Sequence, residues 1–301
     1  MSLATSPLRY PGGKGSLFDL VSSIIRLNKL ERGHYAEPYA GGCGLALALL
    51  YSGHVSDIHI NDLDRHVWAF WNAVLNQTDE LVDLMMATPV TIDEWRRQRE
   101  IHRNPRNATN LQIGFAAFFL NRTNRSGIIK NAGVIGGLSQ KGTYTIDCRF
   151  NKDELTRRIR RVQKYRGRIH LHRKDALDFL THVEKHLPDD TFLCIDPPYF
   201  NKGSSLYTSA YDPEDHAKVS ERVLRLGHPW IITYDYCDEV QRLYTARRQF
   251  QISLNYSAQV KRVGSELLIA SKGLRLPVEL REAQVHRVQY RTAPSDVGIS
   301  A

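Results

Sequence analysis

Four short apolar runs in this 301-residue chain end alike, each in a polar or glycine-bearing tip. They are H-Y-A-E-P-Y-A-G-G-C-G (34–44), leading into the helical L-A-L-A-L-L-Y; V-S-D-I-H-I-N-D-L-D (55–64), leading into V-W-A-F-W-N-A-V-L; T-F-L-C-I-D-P-P-Y (191–199); and H-P-W-I-I-T-Y-D-Y (228–236), leading into D-E-V-Q-R-L-Y. Strands alternating with helices predict an α/β fold with a parallel, doubly wound sheet. Ligands of such a sheet sit beyond the carboxyl ends of its strands, where all four tips fall.

The rhythm breaks over residues 79–164. That segment reads as helical through Glu94–Arg103 and again near Leu111–Leu120. A glycine-rich passage without helical period follows, N-R-T-N-R-S-G-I-I-K-N-A-G-V-I-G-G-L-S-Q-K-G. We read 79–164 as an inserted, mostly helical lobe with loops or a hairpin, 1–78 and 165–275 as the sheet domain, and 276–301 as a polar tail. Charge follows the same division. Net charge is −2 over residues 1–80, +9 over 81–165 and +2 over 166–301, so the middle segment holds an excess equal to that of the whole chain. A concentrated basic lobe is the footprint of a polyanion-binding element. A solvated helix face accounts for Arg157–Arg161 alone.

No apolar run approaches the roughly 20 residues of a membrane span, and M-S-L-A-T-S-P lacks the layout of a signal peptide. The cysteines Cys43, Cys148, Cys194 and Cys237 are scattered, without a C-x-x-C pair. This argues against a zinc site or a disulfide framework and suits a reducing cytoplasm. The expectation is a cytoplasmic protein with no metal and no membrane partner.

In Ala36–Gly44, glycines after a strand let the backbone approach a ligand before a helix begins. The stretch is not G-x-G-x-x-G and carries no P-loop lysine. The next run ends in I-N-D-L-D, about 20 residues on, where an acid commonly binds ribose hydroxyls. Asp62 and Asp64 are both candidates, and either could instead cap the helix that follows. Loop and acid together suggest a nucleoside-bearing cofactor.

The tip D-P-P-Y (196–199) carries the chemistry. Pro197 and Pro198 stiffen the turn and remove N–H donors, leaving the Asp196 carboxylate and backbone carbonyls as acceptors. Acceptors beside an aromatic ring suit a flat ligand bearing an amino group, with Tyr199 stacking on its face. Such hydrogen bonds aim the nitrogen lone pair at an electrophile and stabilise positive charge developing there.

In this order and spacing, P-L-R-Y-P-G-G-K (Pro7–Lys14), A-E-P-Y-A-G-G, I-N-D-L-D, the basic insert, R-K-D-A-L-D-F (Arg173–Phe179), D-P-P-Y and W-I-I-T-Y-D resemble the Dam-type N6-adenine-specific DNA methyltransferases. The resemblance spans roughly residues 7–275. It implies a Rossmann-like sheet binding S-adenosyl-L-methionine (AdoMet), with 79–164 as a target-recognition lobe. By it, Tyr10 and Lys14 contact AdoMet, Glu37, Gly41 and Gly42 surround its methionine moiety, Asp62 is the acidic cofactor position, and Asp175 lies near the cofactor's adenine. Asp196, Pro197 and Tyr199 form the catalytic motif that receives a flipped base. Asn121, Arg122, Asn124, Arg125, Ser126 and Lys130 are the candidate DNA contacts, for bases or for phosphates alone. Where the family's related loop often carries an aromatic residue, this chain has Arg125.

The expected reaction is methylation of adenine N6 in double-stranded DNA by a monomer, with a cognate restriction endonuclease as a partner the family allows. Cytosine C5 transfer is disfavoured, because no cysteine here follows a proline. Enzymes methylating cytosine N4 usually resemble S-P-P-Y, and those methylating glutamine resemble N-P-P-Y. Two alternatives remain: N6-adenine methylation of structured RNA, and a catalytically silent nucleic-acid-binding protein with the same fold.

Overall fold

The computed structural model describes residues 5–9, 14–200, 211–256 and 262–280. Its strands, β1 (His34–Glu37), β2 (Asp57–Asn61), β3 (Ile169–His172), β4 (Phe192–Ile195), β5 (Trp230–Asp235), β6 (Arg248–Tyr256) and β7 (Arg262–Ala270), form one seven-stranded sheet in the order β3-β2-β1-β4-β5-β7-β6. The first five run parallel, while β7 pairs antiparallel with both β5 and β6. Every residue of β4 and β5 is buried, as expected for parallel strands covered on both faces.

Chain order reverses at β1: β2 and β3 build outward on one side and β4 and β5 on the other. The crevice beyond the carboxyl ends of β1 and β4 is therefore the topological switch point, the place where a doubly wound sheet takes its ligand. Glu37 ends β1 and Asp196 follows β4, so the topology alone brings the glycine loop and D-P-P-Y together.

The helices are α1 (Phe18–Leu27), α2 (Gly44–Tyr51), α3 (Arg65–Asn76), α4 (Thr78–Ala87), α5 (Ile92–Arg103), α6 (Asn110–Thr123), α7 (Lys152–Lys164), α8 (Ala176–His186), α9 (Pro213–Leu224) and α10 (Asp238–Leu243). One core, which includes α8, α9 and α10, packs Phe179, Val183, Val219 and Val240 around Ile195 and Tyr234. The other covers the opposite side with α1, α2, α3, α6 and α7. The inserted segment is mostly helical, as expected, but it has no separate core: Phe115, Phe118, Phe119 and Phe150 belong to the same cluster as Tyr35, Ile58 and Phe192.

Helix α6 explains this. It begins at a capping box, with Thr109 and Gln112 each bonding the other's backbone N–H. Buried residues cover nearly its whole circumference, the pattern of a helix inside a core rather than on its surface. Gly114 permits its close crossing of α3, since a Cβ there would lie 2.6 Å from the Ala69 carbonyl oxygen. After α6 the glycine-rich passage is irregular, with a single antiparallel bridge, Asn124 to Val134.

Sequence periodicity did not register β3, β6 or β7. β3 is four residues, I-H-L-H, on the sheet edge. The other two pair antiparallel, and their pattern differs from that of the buried parallel runs.

Candidate active site

At the end of β1 the chain turns through Pro38–Cys43. Gly41 lies at φ +45° and Cys43, capping α2, at φ +49°, both in the left-handed region. The Gly41 N–H donates to Asp62 Oδ2 at 2.9 Å, and the Trp71 indole donates to the Gly41 carbonyl at 2.8 Å. Asp62 Oδ1 accepts the Asp64 N–H at 2.9 Å. Asp64 in turn caps α3, accepting from the His66 N–H at 2.7 Å. The structure thus separates the two acids: Asp64 is the cap and Asp62 the glycine-loop acid. Gly42, between Gly41 and Cys43 in the chain, is buried.

Burial followed by the charge of Asp64 pushes Asp62 up to about 7, against its two backbone hydrogen bonds. Glu37 is buried, accepts the Tyr35 hydroxyl at 2.9 Å, and is pushed up to about 8, first by burial and further by Asp196. Both acids therefore keep their protons to higher pH than ordinary carboxyls, and each would ionise more readily beside a cation.

Asn61 ties three strand tips together. Its amide donates to the carbonyls of Pro38 and Lys174 at 3.0 Å each, and its oxygen accepts the Lys174 N–H at 2.9 Å. Asp175, the next residue, is exposed at the start of α8 and caps it through the Leu177 N–H at 2.9 Å. One of its carboxylate oxygens is committed to the cap.

The D-P-P-Y turn is fastened to β5. Thr233 Oγ1 donates to Asp196 Oδ1 at 2.9 Å, and Asp235 Oδ1 accepts the Phe200 N–H at 2.8 Å. Pro197, Pro198 and Tyr199 are buried. Lys14 Nζ lies 3.1 Å from Asp196 Oδ1 and 2.8 Å from the Tyr199 hydroxyl, and it also reaches Glu266 on β7. Burial alone would depress the Lys14 ammonium, but Asp196 and Glu266 outweigh it and raise its pKa. Burial raises Asp196, with Lys14 and Thr233 opposing. Lys14, expected beside the cofactor, is thus engaged by the D-P-P-Y turn itself. Tyr10 lies outside the described residues.

The candidate DNA contacts divide by exposure. Asn121 (0% exposed) donates to the Arg9 and Gly127 carbonyls at 2.7 Å each and accepts the Arg9 N–H. Arg122 (6%) donates to the Pro7 carbonyl. Asn124 (1%) accepts the Trp95 indole N–H at 2.7 Å and donates to the Ile128 carbonyl. As direct DNA contacts these three are corrected: their polar groups are spent inside the protein, those of Asn121 and Arg122 on residues 7–9 and that of Asn124 on Trp95 and Ile128. Arg125 and Lys130 are exposed, and Ser126 is half-buried at φ +56°. In the same 79–164 segment Arg103, Arg106, Lys141 and Arg149 are also exposed, and with Arg125 and Lys130 these six form no salt bridge among the described residues. By contrast Arg96, Arg97, Arg157, Arg158 and Arg160 are paired with acids.

Sequence reasoning passed over Thr233, Asp235, Asn61 and Glu266. The first two stood in the quoted W-I-I-T-Y-D tip, which was a usable signal. Glu266 is one acid inside G-S-E-L-L-I-A, and nothing in that pattern marks it.

A doubly wound sheet ending in an antiparallel hairpin, with an acceptor corner at its switch point, defines a Rossmann-like methyltransferase. The family model described as D12 class N6 adenine-specific DNA methyltransferase matches residues 10–258, most of the chain, and the chain belongs to that family. A search of curated proteins returned no match. Among solved structures, the chain is similar to a putative RNA methyltransferase from Pyrococcus horikoshii (11% identity, TM-score 0.39, covering 88% of this chain and 86% of that one). It is also similar to a conserved hypothetical protein from Streptococcus pyogenes (10% identity, TM-score 0.34, covering 81% and 89%). At these scores the likenesses carry no argument, and the fold rests on strand order. Among the described residues no helix is long and apolar enough to cross a membrane.

Proposed function

We propose that the protein transfers a methyl group from AdoMet to the N6 amino group of adenine in double-stranded DNA, with the target base rotated out of the helix. The observation that carries the reading is the Asp196 corner: a carboxylate, two prolines without N–H groups, and the Tyr199 ring at the switch point. AdoMet supplies an electrophilic methyl group on a cationic sulfonium. The raised carboxyls of Glu37 and Asp62 fit a cation, and the left-handed Gly41, whose N–H is pinned by Asp62, fits close backbone approach.

Asp196 accepts a hydrogen bond from the adenine amino group and aims the nitrogen lone pair, stabilising the positive charge that develops there. Thr233 holds the carboxylate from behind. The proline turn offers no donor to compete with the amino group. Because an adenine inside a duplex cannot reach this crevice, extrusion and stacking on Tyr199 are required. Arg125, Lys130 and the exposed basic residues near them supply phosphate contacts that carry affinity without sequence information.

The test is methyl transfer from labelled AdoMet to matched DNA and RNA duplexes, with the product nucleoside identified. N6-methyladenine in DNA is the expected product. Labelling of RNA alone selects the RNA reading, and no labelling of either selects the silent binder.

A further inference from the structure

We infer that Glu266 is a positioning residue for methyl transfer, holding the Lys14 ammonium and the Tyr199 hydroxyl so that Asp196 and the tyrosine ring stay set for the target amino group. The inference deepens the proposed function and rests on it. Glu266 lies on β7, in register opposite Asp235 of β5, so the antiparallel hairpin brings it against the D-P-P-Y turn. It is 1% exposed. Lys14 Nζ reaches its two oxygens at 3.1 and 3.4 Å, and the Tyr199 hydroxyl donates to Oε1. Lys14 also reaches Asp196 and the Tyr199 oxygen, so all the donors of its ammonium have partners within this group.

The arrangement links four side chains from three places in the chain, and Glu266 is the member that touches neither the proposed base nor the cofactor. Its work is a division of charge. An ammonium facing Asp196 alone would draw fully onto that carboxylate and compete with the adenine amino group for it. With Glu266 opposite, the ammonium is shared, and its hold on Asp196, which falls on Oδ1, is weaker. The same carboxylate fixes the phenol, which sets the plane of the Tyr199 ring.

A buried ion pair can serve folding alone, so the test needs readouts that folding does not move. Glu266→Gln keeps the shape and removes the charge. Its kcat should fall about 10- to 100-fold, the scale of a misplaced reacting group, while KM for DNA and for AdoMet stays within about threefold, the signature of an interaction used only in the transition state. Undivided, the Lys14 charge should also move the acidic limb of the kcat–pH profile to lower pH. The other titratable groups facing Asp196, Glu37 and Cys194, are unchanged in this variant. Glu266→Asp, which keeps the charge, should recover part of kcat.

Tyr199→Phe removes only the hydroxyl, and its loss combined with that of Glu266→Gln should be smaller than the product of the two. Wild-type kcat and pH profile in Glu266→Gln, or losses that multiply, overturn the inference. Should Glu266→Gln fail to fold, Glu266→Asp paired with Tyr199→Phe carries the same test of coupling. A wild-type enzyme that methylates no adenine overturns the functional reading itself, and is told apart from those outcomes by the wild-type control.

Discussion

Thr233 Oγ1 donates a 2.9 Å hydrogen bond to Asp196 Oδ1, fastening the catalytic turn after β4 to the neighbouring strand β5. A carboxylate held in this way is oriented before any substrate arrives, and preorganised groups need no reorientation as charge develops. Thr233→Val keeps the shape and removes the donor. Its kcat should fall about 10-fold or more with DNA affinity retained, because the proposed phosphate contacts at Arg125 and Lys130 are untouched. Equal kcat in the two proteins would mean that Asp196 is oriented by its other partners.

Cofactor affinity should rise with pH. Glu37 is pushed up to about 8 and Asp62 to about 7 by burial, so both gain charge between pH 6 and 9, and a cation is better held as they do. Titration calorimetry with AdoMet should show Kd falling across this range with protons released on binding. Asp62→Asn should weaken binding and flatten the lower part of the curve.

Nucleic-acid affinity should separate the loop residues by exposure. Removing the charges of Arg125 and Lys130 should reduce the slope of log K against log salt by about 0.9 for each phosphate no longer neutralised. Asn121→Ala and Asn124→Ala should leave that slope unchanged and instead lower stability, each by about 1–3 kcal/mol, since each strands buried partners. Thermal unfolding and salt-dependent binding together check the division.

Acid should act through the histidines on β2 and β3. Burial, then neighbouring histidines, pushes His59 down to about 3 and His172 down to about 4. A depressed histidine contributes stability that is complete above the ordinary value near 6.5 and is lost as pH falls towards these lower values. The raised carboxyls of Glu37 and Asp62 act in the opposite sense, so the readout is a difference. Between pH 7 and pH 5 wild-type Tm should fall more steeply than that of His59→Gln. Parallel curves would remove His59 from the account.

Much of this site was legible in the chain because its key residues stand at the tips of apolar runs. Glu37, Gly41, Asp62 and Asp196 are polar or glycine positions at or just beyond the ends of strands, and doubly wound topology sends such tips to one edge. The loop at the end of α6 was read less well. N-R-T-N-R-S looks like a polar surface cluster, yet Asn121, Arg122 and Asn124 point into the protein because the end of α6 is buried beneath the N-terminal segment. Side-chain polarity does not report such burial when the partners are backbone groups more than 100 residues away in sequence, as Arg9 is from Asn121. Glu266 was hidden for a related reason, its partners being brought to it only by the β6–β7 hairpin.

The most direct measurement is the identity of the modified base in duplex DNA incubated with labelled AdoMet and either the wild-type protein or Asp196→Ala. The account expects N6-methyladenine with the wild type, and no product above background with the variant while the variant still binds DNA. Label on cytosine, on RNA alone, or undiminished in Asp196→Ala would contradict it.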